Sequence, residues 1–168
     1  MKNIFAILFL SVITLTSYAQ KFAYVDSDYI LERIPEYQSA QDQLEKVSLS
    51  WQTEIEEIFQ EIDQLYKKFQ ADQILLTQDM KQRRESEIIS KEKEAKELQR
   101  KRFGPKGDLF LKRKELVQPI QDKVFNAVND FCEEKRYDVI FDKSSELIML
   151  YSNPNLDKSD DILKMLGN

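Results

Sequence analysis

From Pro35 to about Gln73 the chain has no glycine and no further proline. Apolar residues fall at Tyr37, Ala40, Leu44, Val47, Trp51, Ile55, Ile58, Ile62, Leu65 and Phe69. The steps alternate between three and four residues, with one stutter where Val47, Trp51 and Ile55 run four and four. This spacing predicts one long helix carrying a heptad seam. At about 1.5 Å per residue such a helix spans roughly 57 Å, too long to curl up inside a domain of this size, so it must project. Phe59 and Tyr66, seven apart, sit beside the seam. They either widen it for a second helix or line a surface that receives something else.

After "ILLTQDMKQ" (74–82) the apolar density falls, and between Lys81 and Arg102 the only aliphatic residues are Ile88, Ile89, Ala95 and Leu98. "FGPKGD" (103–108) then interrupts the helical pattern, with two of the chain's three glycines around Pro105. A proline pushes its predecessor out of helical geometry and cannot donate to the preceding turn. Beyond it the stripe returns at Leu109, Phe110, Leu116, Val117, Ile120, Val124, Val128 and Phe131, with Pro119 a candidate kink. The pattern predicts an antiparallel helical hairpin with its tip near 74–82. Gly104, Pro105 and Gly107 form the joint where the returning arm meets the rest of the chain; the plainer alternative is a loop between two unrelated helices.

The two ends of the chain read differently. "FAYV" (22–25) is an apolar run closed by Asp26, a strand buried on both faces. "SDYILERI" suggests one helical turn, and Pro35 is a favoured first helical residue, with Glu36 suited to the positive end of the dipole. "YDVIFD" (137–142) and "LIMLY" (147–151), separated by "KSSE", predict a hairpin of two strands that the first strand joins. "SNPN" predicts a turn. "KSDDILKML" predicts a short helix capped by Ser159, with Asp160 and Asp161 in its first turn and Gly167 past its end. A sheet this small is marginal alone, so this body calls for copies of itself.

Before the first strand, Lys2 precedes an apolar run of twelve residues (4–15), then Ser17 and Ala19 at the positions a signal peptidase reads. This predicts an export signal, residues 1–19, cleaved after Ala19. The run is too short to span a membrane, and no cysteine follows the cleavage site to carry a lipid anchor. The expected division is therefore a signal peptide, 1–19, and one domain, 20–168. Its body comprises 20–36 and about 108–168, and its arm about 37–107.

Charge sharpens the hairpin. Residues 36–79 carry 10 acidic and 3 basic side chains, and residues 81–114 carry 6 acidic and 13 basic, so the arms have net charges of −7 and +7. Opposite arms favour pairing with each other, although exposed ion pairs contribute little and the apolar seam must carry the docking. The only cysteine, Cys132, excludes a disulfide framework and reads as a buried thiol on a helical stripe. There is no histidine, which removes His-based triads, His metal sites and the usual general base. With no phosphate loop either, an enzyme is not expected, nor is a cofactor or metal. The basic stretches "KQRR" and "RKR" raise nucleic-acid binding, but Glu85, Glu87, Glu92, Glu94 and Glu97 interleave with them and the chain is exported, so no nucleic-acid partner is expected.

Together, "AYVDSDYILERIPEY" (23–37) and "YDVIFDKSSELIMLYSNPNLDKSDDIL" (137–163), flanking a long helical hairpin, resemble the Skp/OmpH family of periplasmic chaperones. The resemblance covers the whole mature chain and implies an α+β, mostly α, fold. A coiled-coil-like arm projects from a small β-sheet body that forms a homotrimer. It implies an ATP-independent holdase that keeps unfolded outer-membrane proteins between flexible arms. On that template Phe22, Tyr24, Val25, Val139, Phe141, Ile148 and Leu150 build the oligomer, and Trp51, Phe59, Tyr66 and Phe69 meet the client. Lys81, Arg83 and Arg84 stand near the arm tip, where basic groups would meet membrane headgroups, as a weak surface contact, or acidic client segments. Better-known members are strongly basic whereas this chain is acidic, which confines any electrostatic steering to the returning arm. The competing reading is a structural or adaptor coiled coil of the cell envelope without client binding.

Overall fold

The computed structural model describes residues 20–145 and 149–167. The expected export signal, and Leu147 and Ile148 of the second C-terminal strand, lie outside the described residues. In chain order the elements are β1 (Phe22–Val25), α1 (Ser27–Glu32), α2 (Pro35–Asp72), α3 (Gln78–Phe103), α4 (Asp108–Lys135), β2 (Val139–Asp142), a 3-10 turn (Pro154–Leu156) and α5 (Ser159–Met165). The fold is α+β and mostly helical. The residues group into two compact units: one ends at Ile30 and resumes at Val124, and the other is Leu31–Lys123.

In the first unit β1 and β2 form a two-stranded parallel sheet, with Phe22 opposite Val139 and Val25 opposite Asp142. Val25 accepts from the Lys143 amide beyond the end of β2, and the Lys21 carbonyl accepts from Asp138 before its start. On its other edge β1 meets the chain after the 3-10 turn, where the Lys158 amide donates to the Tyr24 carbonyl at 2.9 Å. Ala23, Tyr24 and Val25 are buried, so β1 is covered on both faces as its unbroken apolar run requires. Ile30 and Ile162 are wholly inaccessible, and each such burial contributes about 1.5–3 kcal/mol.

Of the expected second C-terminal strand only Met149, Leu150 and Tyr151 are described, and they belong to no strand; β2 pairs with β1. Leu150 is 95% exposed. Ser159 is likewise not the cap of α5. It is the first helical residue and is buried; its hydroxyl donates to Asp157 Oδ1 (2.6 Å) and accepts from the Asp26 amide (2.9 Å). Asp157 takes the capping role by accepting the Ser159 amide, while Gly167, with φ 82°, ends the helix as expected.

In the second unit Ile34 is extended ahead of Pro35, which starts α2 at its first position without wasting a donor. Every residue of the anticipated seam is buried or half-buried, with Ala40, Leu44, Ile55 and Ile62 most enclosed. Contacts run antiparallel between α2 and α3. Trp51 meets Phe103, Glu61 meets Lys91, and Ile62 shares a cluster with Ile88 and Ala95. Along its 26 residues α3 buries only Ile88 and Ala95. Its start is capped by the Thr77 hydroxyl, which accepts from the Met80 amide. Pro119 lies inside α4, which continues through it.

α4 closes with a Schellman-type end. The Tyr137 amide donates to the Cys132 carbonyl (3.0 Å), and the Tyr137 ring stacks on Phe131 at 5.5 Å. The left-handed residue this motif needs is Arg136, φ 57°, rather than glycine. Arg136→Gly is therefore expected to stabilise the protein by about 1 kcal/mol, and Arg136→Val to destabilise it, as read from urea midpoints.

Candidate functional site: the hairpin surface and the sheet edge

The hairpin offers an extended surface rather than a pocket. Facing inward, Phe69 packs with Ile58 and Leu65 against the Ile62, Ile88 and Ala95 cluster. Trp51 is half-buried, edge-on to Phe103. Phe59 and Tyr66 are exposed, so the structure separates the four aromatic candidates into two in the seam and two on the surface. Phe59 borders a shallow groove between α2 and α3 lined also by Gln52, Ile55, Glu56, Gln99 and Phe103.

The turn between the arms, 73–77, adds two aliphatic side chains with almost no cover: Ile74 is 93% exposed and Leu75 85%. No sequence argument above singled them out, although an apolar triplet in a polar turn was the available signal. The basic residues nearby are largely answered on their own helix. Arg83 pairs with Asp79 at 3.0 Å and Arg84 with Glu87 at 3.3 Å. Lys81 is half-buried.

The break at 104–107 is a compact turn. A Cβ on Gly104 would lie 2.3 Å from the Arg100 carbonyl oxygen, and one on Gly107 2.6 Å from that of Lys101. Neither residue has a positive φ, so close backbone approach is what demands glycine there. The Gly104 amide completes the last turn of α3 by donating to Arg100, and the Gly107 amide donates back to Gly104.

On the sheet, alternate residues share a face. Phe22 and Tyr24 of β1 lie with Val139 and Phe141 of β2. Tyr24 is buried, but Phe22, Val139 and Phe141 stay about two-fifths exposed, with the Phe22 and Phe141 rings stacked at 6.5 Å. The opposite face carries the buried Ala23 and Val25. Among the described residues nothing pairs with the outer edge of β2. Ile148 lies outside the described residues.

A family profile described as "Outer membrane protein (OmpH-like)" matches residues 21–166. The chain belongs to the OmpH-like family. A crystal structure of a protein from Caulobacter crescentus CB15, described as OmpH-like, superposes with a TM-score of 0.70. It is 14% identical, and the match covers 88% of this chain and 84% of that one. At that identity the likeness establishes a shared fold. The comparison with curated proteins finds no match.

Among the described residues no group of histidine, cysteine, aspartate or glutamate side chains is placed to hold a metal ion. No described helix is long and apolar enough to cross a membrane. Burial pushes the Cys132 thiol up from its ordinary value, with Glu133 adding to the effect, so it stays protonated and poorly nucleophilic.

Sequence reasoning overlooked a polar clamp at the end of the sheet. Burial of Asp142 opposes its ionisation, but four donors outweigh that effect. The Ser27 hydroxyl (2.7 Å) and amide (3.1 Å), and the Ser144 hydroxyl (2.8 Å) and amide (3.1 Å), all donate to its carboxylate. Its pKa is held below the usual 3.8. A depressed carboxylate stabilises the folded state fully above its unfolded value and loses that contribution as pH falls through the lower folded value. Asp142→Asn is therefore expected to be less stable than wild type at pH 7. The gap should narrow as pH falls below about 3.8, measured by urea denaturation across that range.

Proposed function

We propose that this chain is an ATP-independent periplasmic holdase chaperone, working as a homotrimer that keeps unfolded outer-membrane proteins between its helical arms. The observation that carries this reading is the exposure of Phe59, Tyr66, Ile74 and Leu75 along a long, thinly packed helical hairpin. A helix pair serving only as a spacer gains nothing from bare aromatic and aliphatic side chains. A surface that must grip many unrelated unfolded chains weakly gains from spreading such contacts over its length. Membership of the OmpH-like family supports the same reading. The trimer is supported by the exposed Phe22, Val139 and Phe141 and by the unpaired edge of β2, which copies of the same sheet would cover. Contact with lipid headgroups is a minor part of this proposal, because Arg83 and Arg84 already have carboxylate partners. Export rests on the sequence of residues 1–19.

Light scattering of the purified chain, residues 20–168, behind size exclusion is expected to give three chains per particle. That particle should keep a urea-unfolded outer-membrane β-barrel protein soluble after dilution. Replacing Phe59 and Tyr66 together by serine is expected to weaken client binding by about tenfold while leaving the trimer intact. Unchanged client aggregation at several-fold molar excess of the wild-type chain would reject the holdase reading in favour of a structural coiled coil.

A further inference from the structure

α3 ends in three cations, Arg100, Lys101 and Arg102, all favourably placed at the negative end of its dipole. Only Arg102 is drawn inward, with its side chain 23% exposed. Its guanidinium lies 4.6 Å over the Trp51 ring. Nη1 donates to Asp108 Oδ2 at 2.8 Å, and Nη2 donates to Glu54 Oε2 at 3.3 Å. Phe103 meets the same indole edge-on. One side chain thus ties α2, through Trp51 and Glu54, to the first residue of α4, Asp108, across the 104–107 turn.

We propose that Arg102 is a latch on the α3–α4 joint, and that the joint opens when this cluster lets go. The turn itself is short of restraints. Its backbone is held by the Gly104-to-Arg100, Gly107-to-Gly104 and Leu111-to-Gly107 hydrogen bonds, and glycine supplies no side chain to pack. Rotation at Gly104 and Gly107 is therefore limited mainly by what Arg102 joins. The latch is also built to release. Glu54 and Asp108 are 45% and 30% exposed, so salt weakens both ion pairs, and the buried Arg102 Nε has no hydrogen-bond acceptor. The geometry calls for arginine in particular. A planar fork can stack on an indole while serving two carboxylates; a lysine ammonium is a point charge that cannot do both.

This inference goes beyond the chaperone reading, and its test uses no client, so either can fail alone. The measurement is amide hydrogen exchange on the full-length chain at Gly107 and Leu111, whose amides donate to Gly104 and Gly107. Arg102→Gln is expected to speed exchange at both by about tenfold, the scale of one lost charge-assisted hydrogen bond, and to leave the Ile62–Ile88 region unchanged. Arg102→Lys should behave like Arg102→Gln. Raising salt to about 0.5 M should speed exchange in the wild type and add little to either variant. Wild-type exchange in Arg102→Gln, full protection in Arg102→Lys, or an equal salt response in all three would each overturn the latch. Should Arg102→Gln fail to fold by circular dichroism, Asp108→Asn takes its place. Faster exchange at Gly107 and Leu111 in that variant is expected, and unchanged exchange there overturns the proposal.

Discussion

The parallel pairing of Phe22–Val25 with Val139–Asp142 is the constraint on which the chain's organisation rests. It joins residues 117 positions apart, and further contacts fasten both ends of the ladder. At one end the Lys21 amide donates to Asp138 and the Lys21 ammonium caps the Lys135 carbonyl over the Tyr137 ring. At the other end the Asp142 carboxylate gathers Ser27 and Ser144. Closing a flexible loop of that length costs about 4 kcal/mol in entropy. Helices that run out and back as an antiparallel pair reduce that cost, because they return the chain without a free search. A parallel two-stranded sheet is a poor structure alone, and the buried Ser159, tying the Asp26 amide to Asp157, adds a third segment to its edge.

The hairpin shows the reverse balance, with regular local structure and sparse tertiary cover. α2 supplies a full apolar seam, and α3 answers it with Ile88, Ala95 and a few half-buried neighbours. The opposite net charges of the arms are expressed in few direct cross-arm pairs, Glu61 with Lys91 and Glu54 with Arg102. Arg83, Arg84 and Lys93 find carboxylates on their own helix, where exposed pairs are worth a few tenths of a kcal/mol. Resistance to opening should therefore decline toward the 73–77 turn.

Elements whose cause is local were legible in the sequence. The spacing from Tyr37 to Phe69 gave α2 its seam, Pro35 its start, and the glycines around Pro105 the end of α3. The two strands were legible as apolar runs, and their pairing followed from β1 having no neighbour nearby. The reading went astray where a partner had to be chosen. "LIMLY" has a strand's composition, but its described residues, Met149, Leu150 and Tyr151, join no strand. Ser159 has a capping residue's chemistry, but the approach of Asp26 and Asp157 gave its hydroxyl another task. Arg102 was one cation among thirteen in its stretch, and nothing local distinguishes it from Arg100. What selects it is that Trp51 and Glu54, three apart on α2, come opposite the last turn of α3. Exposure of Phe59 and Tyr66 beside the half-buried Trp51 and Phe69 likewise depends on where α3 lies.

The length of α3 gives the joint at 104–107 a mechanical meaning. Its 26 residues make a rod of about 39 Å, whose far end moves by about 0.7 Å for every degree turned at the joint. The paired helices α2 and α3 form such a lever, with Ile74 and Leu75 at the far end and Trp51, Arg102 and the two glycines nearer the pivot. A rotation too small to disturb any packing along the arms would carry those aliphatic side chains several ångströms. The reach of the tip can thus be set by angstrom-scale adjustments around one arginine, with no change in the surface that does the touching.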